Sequence, residues 1–250
     1  MYMISNRNWS ILFALSLLCS SIVLFALHYE IFHDAHHILI YTLHDIAFLP
    51  IEVLLVTVIL HQMLERQATK NKLNKLNMVI GTFFSEVGTP LMRFFASRDP
   101  EFQEKKQFYS SLNTWDHTLY VSHGKDAKKS SYQVEVSCAD LIPLRNLLAE
   151  KEDFLVRILE NPILLEHESF TEVLQAVFHL TEELKHRGDC TNLPDSDIRH
   201  ISGDMTRSYK HMIPVWISYL EYLKNNYPYL FSLAVRTNPF TEIEDAIVRE

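Results

Sequence analysis

No charged residue lies between Arg7 and Glu30, and within that gap Ile11 to Leu27 is almost wholly apolar. At ~1.5 Å per residue, a helix from Trp9 to Tyr29 is about 30 Å long, which is the thickness of a bilayer's hydrocarbon core. Trp9 and Tyr29 stand at its ends, where amphipathic rings prefer the membrane interface. No small-x-small cleavage site follows the run, so a retained anchor is expected rather than a cleaved signal peptide. A second stretch, Ile38 to Leu60, is long enough to span although it holds His44, Asp45, Pro50 and Glu52. The expected span is Ile40 to Leu64, kinked near Pro50, whose ring nitrogen has no proton to give the preceding turn.

The segment between the two stretches, HYEIFHDAHH, has no Lys or Arg, whereas Arg66, Lys70, Lys72 and Lys75 follow the second. Basic residues stay on the cytoplasmic side, so the loop is expected outside and both termini in the cytoplasm. The expected localisation is the cytoplasmic (inner) membrane, with a membrane domain over residues 1–64 and a cytoplasmic domain over residues 65–250. The lipid bilayer is the first expected partner.

Charge narrows the partners further. The chain holds 23 basic and 31 acidic side chains for a net −8, and nucleic acid needs the opposite balance. Residues 65–250 alone hold 22 basic and 27 acidic groups, a net −5. Five glycines against nine prolines argue against a β-barrel, a dinucleotide-binding unit or a phosphate-cradling loop, each of which needs glycine at sharp turns or close approaches. Cys19, Cys138 and Cys190 form no metal or redox spacing.

The expected fold class is mainly all-α, two transmembrane helices followed by a helical domain with one small β-hairpin. Leu73, Leu76, Ile80, Phe83, Val87, Leu91 and Phe94 recur at helical spacing. Gly81 and Gly88, seven residues apart, would let another helix approach closely, and Asp99-Pro100 breaks the run. Alternation in Thr118–His123 and Tyr132–Ser137, around a Gly/Lys/Ser-rich turn, predicts the hairpin. Further helices are expected from Asp140 to Leu159, from Ser169 to Arg187 closed by Gly188, from Pro194 to Asn225, and from Tyr227 to Arg236.

Four runs, FLPIEVLLVTVILHQMLE, KLNMVIGTFFSEVGT, LENPILLEHESFTEVLQAVFHLTEEL and YPYLFSLAVRTNPF, carry a resemblance. The chain resembles a family of uncharacterised prokaryotic two-span integral membrane proteins. The resemblance covers most of the chain beyond residue 45 and implies a shared architecture, with no activity attached.

Several residue sets have chemistry to offer. Six of the 13 histidines fall between His28 and His61. If that stretch is helical, Glu30, His33, His37 and His44 share one face and offer an external site for a divalent transition metal. Asp45 and Glu52 are intramembrane acids, expensive to leave facing lipid as charges. In a homo-oligomer they would face one another or line a pore. On the helix after His167, residues Glu168, Glu172, His179, Glu183 and His186 form a polar stripe opposite Phe170, Val173, Val177, Leu180 and Leu184. On the next helix Asp197, His200, Asp204 and His211 share a face. A short connection makes the two helices antiparallel neighbours, bringing His179 and Glu183 opposite Asp204 and His200. His179, Glu183, His186, His200 and Asp204 are therefore candidate metal ligands. The bland alternative is a solvated polar face.

The segment YPYLFSLAVRTNPF reads as a helix docked into the core with Arg236 pairing at its end. Left exposed, its Tyr227, Tyr229, Phe231 and Arg236 would instead be a partner surface. No nucleophile elbow, Walker loop, dinucleotide fingerprint or His-Glu-x-x-His occurs. The expected function is a membrane-anchored cytoplasmic binding, scaffold or sensory module. Two alternatives stand beside it: a homo-oligomeric pore with Glu52 in the path, and a metal-dependent enzyme using His179, Glu183, His200 and Asp204.

Overall fold

The computed structural model describes residues 3–241 and 246–247. Among these residues there are ten α-helices and no strand: α1 (Met3–Phe32), α2 (Ala35–Phe83), α3 (Thr89–Ala96), α4 (Phe102–Tyr109), α5 (His117–Lys129), α6 (Cys138–Glu150), α7 (Glu152–Leu159), α8 (Glu168–Arg187), α9 (Asp195–Asn226) and α10 (Pro228–Arg236). The chain divides into two compact units at Ala68/Thr69.

The first unit is α1 and the leading part of α2. The chain turns between them at His33, whose φ of 49° lies in the left-handed region, and the Asp34 carboxylate then accepts a hydrogen bond from the His37 backbone N–H at 3.0 Å. That bond satisfies one of the free donors at the start of α2. Two helical segments, Trp9–Phe32 and Ala35–Ala96, are long and apolar enough to cross a bilayer, with mean hydropathies of 2.5 and 2.1 in their most apolar windows. Pro50 sits inside α2, which continues to Phe83.

The second unit packs around α9. Tyr209, Met212, Ile213, Ile217 and Leu220 of that helix are fully buried, and α9 packs against α3, α5, α8 and α10. Leu76, Ile80 and Phe83 of α2 enter this core. A single turn of π-helix, Phe84–Gly88, then shifts the register before α3. The expected close approach of another helix is present at Gly81, where a methyl group would overlap the Tyr219 hydroxyl of α9; at Gly88 the crowding is local instead, from the Phe83 and Phe84 rings of the preceding turn. Pro214 lies inside α9 and is buried.

The expected β-hairpin is absent. Residues 117–129 form α5 instead, opened by Asp116, whose carboxylate accepts from the Leu119 N–H at 2.9 Å. The apparent alternation in Thr118–His123 hides a helical stripe, with Tyr120 and Ala127 buried. Residues 131–137 are extended but have no strand beside them. Their backbone is satisfied from elsewhere, Val134 N–H donating to the Thr206 hydroxyl at 3.1 Å and Glu135 N–H to the Arg98 carbonyl at 3.0 Å. Tyr132 and Val134 are buried, so the period of two came from a strap laid over the helices rather than from a sheet.

The helix expected from Asp140 to Leu159 begins earlier and is two. Ser137 is the cap of α6, in a reciprocal capping box with Asp140, and Lys151 separates α6 from α7. Gly188 closes α8 at φ +62°, as its position predicted.

Candidate functional site

Helices α8 and α9 pack on each other, and the polar stripes of both meet along one edge of that contact. Spacings of four along α8 bring His179, Glu183 and Arg187 into line, and spacings of three and four along α9 do the same for Asp197, His200, Asp204 and Arg207. The apolar sides of the same helices supply core residues Val173, Val177, Leu180 and Leu184 from α8 and Ile201 and Met205 from α9. The cluster is therefore held on rigid, core-packed elements.

Asp204 is the buried centre. Its side chain is 2% exposed, and its Oδ2 lies 3.4 Å from His200 Nε2 and 3.5 Å from His179 Nε2. Glu183 stands beside them, Oε2 3.7 Å from His200 Nε2 and Oε1 3.8 Å from His179 Nε2. Arginines grip the outer oxygens. Arg207 Nη1 is 3.1 Å from Asp204 Oδ1, and Arg187 donates through Nη1 to Glu183 Oε2. Arg187 also makes a two-pronged contact with Asp197, Nε to Oδ2 and Nη2 to Oδ1, both 2.7 Å. These bonds hold Glu183 below the usual carboxylate range, and Asp197 likewise, and they raise the Arg187 guanidinium further, Asp197 being the larger cause.

Among the described residues, one set of three or more His, Cys, Asp or Glu side chains presents ligand atoms close enough for a single cation: Glu183, His200 and Asp204, all within 4.8 Å of one another. His179 adjoins the set. His186, the fifth candidate, stands apart: it is exposed and donates through Nδ1 to the Glu182 carbonyl at 2.8 Å. His211, farther along α9, instead pairs with Glu172 at 3.4 Å. The two arginines were not among the sequence candidates. Their signal was the Glu183–Arg187 and Asp204–Arg207 spacings of four and three, at which opposite charges meet on a helix.

In the first unit the histidines from His28 to His44 are arranged differently from the expectation. Because the chain turns at His33, that ring stacks on Tyr29, while His37 lies parallel to His28 across the turn with centroids 6.3 Å apart. His33, His37 and His44 thus do not share the continuous helical face predicted for them, and His28 takes a place that spacing along one helix did not suggest. The His28–His37 pair itself lines a cleft of about 660 Å³ between α1 and α2, together with Ser20, Ser21, Thr42 and Asp45 among apolar side chains; Glu52 is not among its lining residues.

The C-terminal segment divides. Phe231 is buried at the α10–α9 contact, whereas Tyr229 is 70% exposed. Tyr227 stacks obliquely on Tyr222 with centroids 5.8 Å apart, and Arg236 donates to the Ser232 hydroxyl at 2.7 Å. Tyr120, on α5, donates its hydroxyl to the Leu112 carbonyl at 2.9 Å. The aromatic density is thus largely core, with one exposed ring.

The fold is an all-helical two-unit one, and its relatives match in both parts. The family described as "MJ1433, N-terminal helical domain" matches residues 4–64, and the one described as "Uncharacterized protein MJ1433, C-terminal helical domain" matches residues 72–236. The uncharacterised protein MJ1433 of Methanocaldococcus jannaschii is 41% identical over 236 residues, spanning 94% of this chain and 95% of that protein. The chain belongs to the MJ1433 family. No solved structure matches it.

Proposed function

We propose that this protein is a two-span membrane protein that carries a helical binding or sensory module on its cytoplasmic side, with the α8–α9 cluster as the module's binding face. The observation that carries the reading is the apolar surface of the first unit. Leu12, Leu24, Leu43, Leu54 and Leu64 are each more than 60% exposed, and neither candidate span has any of its most apolar window buried by protein. So much continuous apolar surface is not stable in water and is at home in hydrocarbon. The basic residues Arg66, Lys70, Lys72 and Lys75 follow the second span, which orients the hairpin with the larger unit inside.

The polar lining of the α1–α2 cleft favours a second role for the same hairpin. Asp45 and the Ser20 and Ser21 hydroxyls face a common space between the helices, and an acid at that depth needs a polar partner. The two hydroxyls offer one within the hairpin, but Asp45 is still exposed; a second copy packed over this cleft would cover it, and the protein is proposed to be a homo-oligomer. Carbonate extraction of membranes tests the anchor: retention in the pellet supports it, and release to the supernatant removes it. Cross-linking in detergent tests the oligomer, which Asp45→Leu is expected to weaken.

A further inference from the structure

Asp204 Oδ2 is out of place as it stands. The side chain is 2% exposed, yet this oxygen has no hydrogen-bond partner, while Oδ1 is taken by Arg207. Buried carboxylate oxygens are costly unless paired or bound to a cation. Two imidazole nitrogens converge on it at 3.4 and 3.5 Å without making that bond.

We propose that His179, Glu183, His200 and Asp204 bind a single divalent transition-metal ion of the zinc and iron(II) class, with Asp204 Oδ2 as its buried anchor. This names the ligand of the face assigned above to the module, and for its biological role it rests on that reading. Metal–ligand bonds of about 2.0–2.2 Å place neighbouring ligands of a tetrahedral ion about 3.4 Å apart. The four histidine–carboxylate contacts run from 3.4 to 3.8 Å, and Glu183, His200 and Asp204 already present ligand atoms within 4.8 Å of one another, so these three form the core of the cage and a side-chain movement of His179 toward Asp204 Oδ2 closes it. Two imidazoles with two carboxylates select against Mg²⁺ and Ca²⁺, which take oxygen alone.

The surroundings fit the same assignment. Arg187 and Arg207 hold the carboxylates from outside, as outer partners orient ligands in known metal sites. Two guanidiniums face three carboxylates there, counting Asp197, which leaves an unbalanced negative charge for a cation to meet. The His179 and His200 side chains are 47% and 54% exposed, so one side of the cage is open to water and an ion can enter and leave from it. Such a site is exchangeable and suited to sensing, unlike a structural one sealed in the core.

The test uses tag-free, full-length protein in detergent, stripped with chelator and dialysed, then titrated with ZnCl2 by calorimetry and with CoCl2 by visible absorption. Wild type is expected to take up one Zn²⁺ equivalent more than His200→Gln, a half-exposed change that leaves the core intact. The comparison also subtracts any uptake at His28 and His37. The Co²⁺ band is expected to vanish in His200→Gln and in Glu183→Gln. Asp204→Asn is expected to weaken binding at least about 100-fold, with His186→Ala unchanged. Equal uptake by wild type and His200→Gln, or none by wild type, overturns the proposal. Uptake at this site by a protein recovered in the soluble fraction would remove the membrane reading and leave the metal site standing.

Discussion

Arg187 shows how one side chain organises the cluster. It ties Glu183 on its own helix to Asp197 on the next, and both carboxyls sit below their ordinary values of 4.5 and 3.8 because of it. A depressed carboxylate pKa means that the folded state binds protons less readily than the unfolded one, so the stabilisation is present above about pH 5 and is lost as pH falls through the folded pKa values. Urea unfolding followed by circular dichroism is therefore expected to show a midpoint that is level from pH 7 to about 5 and falls below about 4.5. Arg187→Gln is expected to lower the neutral-pH midpoint and to flatten the acid limb. A midpoint whose acid limb is unchanged in Arg187→Gln would contradict the assignment. The four residues of the proposed metal site, among the five candidates read from the sequence, were legible as facing stripes because both helices are amphipathic with a short connection. What the stripes did not reveal was which of their members face inward, since a polar stripe looks the same whether its centre is buried, as at Asp204, or solvated, as at His186.

Elements were legible where one periodicity ruled them. Helix α8 has clean apolar spacing and a glycine stop, and its observed bounds differ from expectation by one residue. Residues 117–137 were misread because six residues are too few to separate a half-buried helix from a strand; the Asp116 cap and the packing of Tyr120 and Ala127 decided the matter. The α6 start was hidden because Asp140 is the capping-box partner and Ser137 the cap. Ser137→Ala is expected to cost about 1 kcal/mol, read as a shift in urea midpoint. The π-turn at Phe84–Gly88 had no sequence signal beyond its glycine. There Gly88→Ala would push a methyl group into the Phe83 and Phe84 rings and is expected to cost about 1–3 kcal/mol by the same measurement. An unchanged midpoint would mean that the rings yield.

At the scale of the whole molecule, composition changes along the chain: no charge falls between Arg7 and Glu30, whereas residues 65–250 hold 22 basic and 27 acidic side chains. The mean hydropathy of −0.02 averages the two and describes neither. The histidines from His28 to His44 were harder to place, since the turn at His33 and Asp34 redirects every ring beyond it. The proposed function requires the hairpin to cross a bilayer with the larger unit inside. Its most direct test starts from a variant lacking Cys19, Cys138 and Cys190 and adds one cysteine at a time, at His36 in the first turn of α2 or at Ser130 after α5. In intact cells a membrane-impermeant maleimide is expected to label the His36→Cys protein, and to label Ser130→Cys only after permeabilisation. Labelling of Ser130→Cys in intact cells, or of neither site until permeabilisation, would contradict the account.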